Sequence, residues 1–190
     1  MTINDPSEYI TWPGGATVDR RTAAALHVAE QRLGYNLTVI KGHDPANSSV
    51  SSNTHKGTGV IDLSPFDAKR KVRVLDEIGF SAYHRRALPG VWPEHIHAIL
   101  RGTGHGLDPE AQRQVDDWLA LKNGLADHGM DIDKWRPHPI PDPFSYKAYL
   151  NDQVLDTKVK GINARIKTWR EKIAAAKTRR AFLKSKKRYS

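Results

Sequence analysis

Two apolar periods run through the first two thirds of this chain, and a third governs the rest. From Thr17 to Leu33, Val18, Ala25, Leu26, Ala29 and Leu33 recur at helical spacing, which predicts a core helix with Thr17 as N-cap and Gly34 as its stop. Leu37–Lys41 is a short β-branched run and reads as a strand. Gly59–Leu63 reads as a second strand, and His95–Leu100 as a third. Between them Asp67–Ile78 reads as a helix with Val72, Leu75 and Ile78 on one side and Lys69, Arg70, Lys71 and Arg73 largely outside. Asp108 and Pro109 open another helix, carried through Val115, Trp118, Leu119 and Leu121 to a stop at Gly124. Residues 1–16, with Pro6, Pro13 and Gly14-Gly15, read as an irregular lead-in, and 42–54 as a polar, turn-prone loop. Strands separated by helices predict a compact α+β domain with a small antiparallel sheet flanked by helices.

Pro137, Pro139, Pro141 and Pro143 then alternate with other residues, which forbids helix and favours an extended connector over 137–143. Beyond it, Leu155, Val159, Ile162, Ile166, Trp169, Ile173 and Ala176 follow one another at steps of four and three, a heptad seam in a helical tail over 144–190. The domain organisation read from the pattern is therefore 1–136, connector 137–143 and tail 144–190.

Charge sharpens that division. The 190 residues carry a formal net charge of +9, yet residues 1–143 hold 16 basic against 18 acidic side chains while 144–190 hold 14 against 3. Basicity belongs to the tail, and the body is nearly neutral. The absence of cysteine excludes disulfides and thiolate metal sites. No apolar run reaches the roughly twenty residues that span a bilayer, and the first residues lack a signal-peptide layout.

Candidate chemistry is concentrated in two stretches, Ser52–Asp62 and Trp92–His97. His55, Asp62 and His97 offer a metal two imidazole nitrogens and a carboxylate oxygen, a set that suits catalytic zinc with a position left open; manganese or cobalt could use the same ligands. Gly57 and Gly59 fit a tight loop delivering His55 beside the strand that carries Asp62. Glu94 is placed to take a proton from water. Alternation along a strand instead puts His95 on the side of His97, which makes His95 the alternative base, whereas Pro93 allows a turn that swings Glu94 back.

The interval from His55 to Asp62, its glycines and Glu94-x-x-His97 resemble the signature of the zinc D-alanyl-D-alanine carboxypeptidase and hedgehog-type peptidoglycan peptidases. Thr54–Asp62, Gly90-Val91-Trp92, His95-Ile96-His97 and Asn123-Gly124-Leu125 are similar to the peptidase domains of actinobacterial phage endolysins, over about residues 15–137. That resemblance implies one zinc ion on His55, Asp62 and His97, Glu94 as general base, and cleavage of a peptide bond in the cell-wall stem peptide. Where many members hold an arginine for the oxyanion, this chain has Lys41, a less directional cation. Tyr83, Arg85 and Trp92 are candidates for contacting substrate, with His84 and Arg86 beside them.

The functions in view are then an endolysin-like zinc peptidase, a DD-carboxypeptidase trimming terminal D-alanine, and a non-catalytic binding protein acting through its tail. The implied partner is bacterial peptidoglycan, with release from a host cytoplasm to the wall. The tail's seam fits a docked helix, a homodimer, or a cationic helix on an anionic wall polymer or membrane surface. A nucleic-acid arm ranks last, because nothing in the body resembles a base-reading module.

Overall fold

The computed structural model describes residues 5–46, 53–102, 106–133 and 135–186, with side chains for all of these but 53 and 180–186. The chain forms two compact units, Met1–Tyr146 and Lys147–Ser190.

In the first unit, β1 (Tyr9–Thr11) pairs antiparallel with β2 (Thr17–Asp19), where an irregular lead-in and the start of a helix were expected. Helix α1 accordingly begins at Arg20 and runs to Leu33. Asp19, not Thr17, is its N-cap: the carboxylate accepts from Thr22 N at 2.9 Å and also from Gly59 N at 2.9 Å, so one side chain starts the helix and fixes the loop before Asp62. Gly34 closes α1 in the left-handed region, as the sequence predicts.

Strands β3 (Val39–Lys41), β4 (Val60–Leu63), β5 (Phe80–Arg85) and β6 (His95–Leu100) form one antiparallel sheet in the order β3-β4-β6-β5. The fold is therefore α+β, as the pattern indicates, with β5 an additional strand. Helix α2 (Ala68–Ile78) joins α1 on one face of the sheet. There Leu26, Ala29, Leu75, Phe80, Ile96, Ala98 and Leu100 are all 4% exposed or less and make one core. Lys71 belongs to this side too. It was expected outside, but its stem is buried and its Nζ donates to Ser64 O at 2.9 Å, over the rings of Phe66 and Tyr35.

On the opposite face lies α3 (Pro109–Leu119), capped by Asp108, which accepts from Glu110 N. Its Ala111 and Val115 pack with Val60 and Ile99 into a smaller cluster, leaving the neighbouring end of that face free for polar residues. The helix stops at Leu119, before the expected Gly124, because Leu121 turns into the left-handed region and bonds of 117–131 run into a compact loop.

Residues 137–144 belong to the first unit. Pro143 abuts Gly102, Phe144 packs on the main core and Arg21 donates to Phe144 O, so this stretch is a strap on the body where a connector was expected. The second unit is helix α4, Tyr146–Lys186, which passes through Gly161 without a break.

Candidate metal centre

The sheet register assembles the site. Asp62 on β4 stands opposite His97 on β6, which stands opposite Tyr83 on β5; two residues along, His95 stands opposite Arg85. Directly opposed residues in an antiparallel pair share a face, and so do residues two apart on one strand. Asp62, His97, His95, Tyr83 and Arg85 thus project together from the face that α3 only partly covers.

His55 arrives from outside the sheet, on a 3-10 turn over Asn53–Lys56. Two glycines make that approach feasible. A Cβ at Gly57 would sit 2.0 Å from Gly106 O, and one at Gly42 would sit 2.0 Å from Thr17 O, so backbone runs against backbone at both places. The Gly42 carbonyl accepts from His55 Nδ1 at 2.9 Å. The proton of this imidazole is therefore on Nδ1, and its Nε2 lone pair faces Asp62 Oδ2 at 3.3 Å. His97 is the mirror case: Nε2 bonds to Gln114 Oε1 at 2.8 Å, and Nδ1 faces Asp62 Oδ1 at 2.7 Å.

These bonds decide whether the residues suit a metal. With one nitrogen of each histidine committed as a donor, two nitrogen lone pairs and a carboxylate converge, their ligand atoms all within 4.8 Å of one another. In that tautomer three acceptors face one another, an arrangement satisfied either by a metal ion or, without one, by imidazole protons shared with Asp62. Burial lowers the His97 pKa and favours neutral imidazole, despite the pull of Asp62. Burial alone would raise the pKa of Asp62, but when the two imidazoles carry their protons toward it, their hydrogen bonds and charge outweigh that and hold the carboxyl far below the ordinary carboxylate range. The group His55, Asp62 and His97 fits a metal ion, as the spacing predicts.

Above it opens a cleft of about 670 Å³, lined by Lys56, Arg85, Trp92 and His95, by Asp108, Pro109, Glu110, Arg113 and Gln114 around α3, and by Gly124–Ala126. His95 donates from Nδ1 to Pro93 O at 2.8 Å, which leaves its Nε2 lone pair 3.9 Å from Asp62 Oδ1. Glu94 is placed differently. Its side chain is 46% exposed and its Oε1 lies 2.6 Å from His84 Nε2, away from the three ligand candidates. Since β6 starts at His95, Glu94 lies just outside the strand, and no turn at Pro93 brings it back.

Lys41 pairs with Asp44 at 3.3 Å and does not line the cleft. Among the described residues three cations do line it, Lys56, Arg113 and Arg85, and of these Arg85 is the buried one. It bonds to Asn123 O, stacks 4.3 Å over the Tyr83 ring and keeps a buried Nη2 without a partner. Burial lowers the pKa of its guanidinium, which nonetheless stays charged. Tyr83 is buried beside it, its hydroxyl donating to Gln114 O and its pKa pushed up by desolvation. Trp92 is half-buried, held by its Nε1 bond to Arg86 O at 3.0 Å.

Gln114 is the site residue that the pattern alone leaves unassigned. Its signal was present: it interrupts the apolar stripe of Ala111, Val115 and Trp118 on α3, where a polar side chain needs a partner. His128, in contrast, turns to Asp117 at 2.9 Å, and His105 lies outside the described residues.

No family model matches the chain, and neither a curated protein nor a solved structure matches it.

Proposed function

We propose that this chain is a zinc-dependent peptidase that hydrolyses a peptide bond in the stem peptide of bacterial peptidoglycan. One observation carries the hydrolase reading: His55, Asp62 and His97 bring two imidazole nitrogens and a carboxylate oxygen within 4.8 Å of one another on the floor of an open cleft, with a further imidazole and a buried cation on its wall. The stem-peptide substrate rests on the resemblance of Thr54–Asp62 and His95–His97 to the endolysin peptidases. Zinc is preferred because two imidazoles and one carboxylate match its catalytic sites.

A bound zinc ion would lower the pKa of water and polarise the scissile carbonyl. The chain's own residues supply the rest. His95 receives the proton of the attacking water at Nε2, because Nδ1 is already occupied by its proton and the Pro93 carbonyl. The same Nε2–H is then positioned to protonate the leaving amine. His95 takes this role over Glu94, whose carboxylate is engaged by His84. Arg85 replaces Lys41 as the cation on the cleft wall that meets negative charge, acting through its field at short range. Tyr83 supports Arg85 from below, and Trp92 forms a wall for the substrate.

The test is metal content measured beside turbidity loss on purified cell walls, for the native chain, His97→Ala and His95→Ala. One bound zinc with lysis, both lost in His97→Ala and only lysis lost in His95→Ala, is the expected result. A metal-free native protein without lysis would remove the hydrolase reading. Mass spectrometry of the products separates an internal cut from removal of a terminal D-alanine.

A further inference from the structure

Helix α4 carries large apolar side chains on its surface along a single stripe. Leu155, Val159, Ile162, Trp169 and Ile173 are each more than half exposed, and Ile166 is 38% exposed. At 1.5 Å per residue, the stripe from Leu155 to Ile173 is about 27 Å long. It drifts slowly around the helix because a seven-residue repeat falls short of two turns by about 20°.

What flanks the stripe selects its occupant. One position before the core residues Val159, Ile166 and Ile173 come Lys158, Arg165 and Lys172, and one position after Trp169 and Ala176 come Arg170 and Lys177. In a parallel pair of these helices Arg165 would face Arg170 and Lys172 would face Lys177; in an antiparallel pair the row of Lys158, Arg165 and Lys172 would face itself, and on the other edge Asp156 alone would meet a cation, Lys177. Either dimer sets cation against cation along its seam. The only anionic side chains on α4 are Asp152, Asp156 and Glu171, and Glu171 stands on the side away from the stripe while Asp156 is paired with Lys160 at 2.6 Å. A polyanion without an apolar phase would satisfy the cations and leave Ile162, Ile166 and Trp169 in water.

We infer that α4 lies in the plane of an anionic lipid bilayer surface, with Leu155–Ile173 at the acyl boundary and Arg165, Lys172, Arg170 and Lys177 at the lipid phosphates. A membrane interface offers both phases at once, apolar below and anionic beside, with a tryptophan at the boundary. Long basic side chains on either edge reach up to the phosphates while their stems stay apolar. The helix needs no change of shape to do this.

The experiment is sedimentation of the full chain with vesicles of phosphatidylcholine alone and of phosphatidylcholine with phosphatidylglycerol, at low and high salt. The chain is expected on the anionic vesicles, released at high salt and absent from the neutral ones. The double variant Ile166→Gln, Trp169→Gln, which keeps good helix formers, and the double variant Arg165→Glu, Lys172→Glu should each lower the partition at least about tenfold, with helix content by circular dichroism unchanged. Three results would overturn the inference: no binding to anionic vesicles; loss in the charge variant with none in the seam variant, which marks binding to any polyanion, wall polymer included; or a sedimentation-equilibrium dimer that the seam variant dissociates. None of these readouts depends on zinc or on hydrolysis.

Discussion

Strand β6 builds two different objects from alternate residues. Ile96, Ala98 and Leu100 face α1 and α2 in a dry core, whereas His95 and His97 face the cleft and meet Asp62, Gln114 and the Pro93 carbonyl. On the first face neighbours are interchangeable apolar volume, and error is absorbed by repacking. On the second each polar atom has one assigned partner, so loss of a partner leaves a defined vacancy. Adjacent residues of one strand should therefore respond to substitution in unrelated ways.

The largest separation is expected between the neighbours His95 and Glu94. His95→Ala should lower kcat for wall hydrolysis by about 10²- to 10⁴-fold with metal content unchanged, while Glu94→Ala should cost less than about tenfold, since its carboxylate serves His84. Steady-state kinetics with metal analysis decides this, and equal losses would return Glu94 to the chemistry. Ile96→Ala, on the other face, should cost about 2–5 kcal/mol in denaturant unfolding and leave metal affinity alone. Gln114→Leu should instead act on both, weakening metal binding about 10- to 100-fold in a chelator competition and costing about 1–3 kcal/mol of stability through the unpaired His97 Nε2–H.

Two buried aspartates give the smallest and most pH-specific contrast. Asp62 is held ionised by its histidines, but Asp76 has its pKa raised well above the ordinary value by burial. Asp76 accepts from Ala82 N at 2.9 Å through Oδ1 and has no partner at Oδ2. A raised folded pKa means that its favourable contribution is present at low pH and lost as pH rises through the folded value. Asp76→Asn resembles the protonated form, so it should add about 1 kcal/mol of stability at neutral pH and nothing at acid pH. Unfolding curves across that window would show a gain that grows with pH.

Much of this organisation is legible in the residues themselves. The apolar runs mark β4 and β6, and the stripe Val72, Leu75, Ile78 marks α2, because each has one face to bury. The three ligand candidates are legible for a similar reason: a carboxylate in an apolar strand and histidines flanked by glycines are expensive unless something pairs them. Alternation along β6 already separates His95 from Glu94, and Pro93 does not overrule it. Strand β5 is hidden because Phe80-Ser-Ala-Tyr-His-Arg85 is buried on both faces and mixes polar with aromatic residues, so no period of two emerges. Lys71 and the strap at 137–144 are hidden because charge and proline foretell exposure only where no carbonyl or glycine lies waiting for them.

The hold on His55 has a consequence for mutational scanning. Its ring is oriented by the main-chain carbonyl of Gly42, and that strand segment can approach only because position 42 lacks a side chain. A scan that replaces polar residues with alanine would pass over this support entirely. The sensitive position would instead emerge where Gly42 gains a single methyl group, a change that adds no charge, removes no hydrogen-bonding atom and lies outside the cleft.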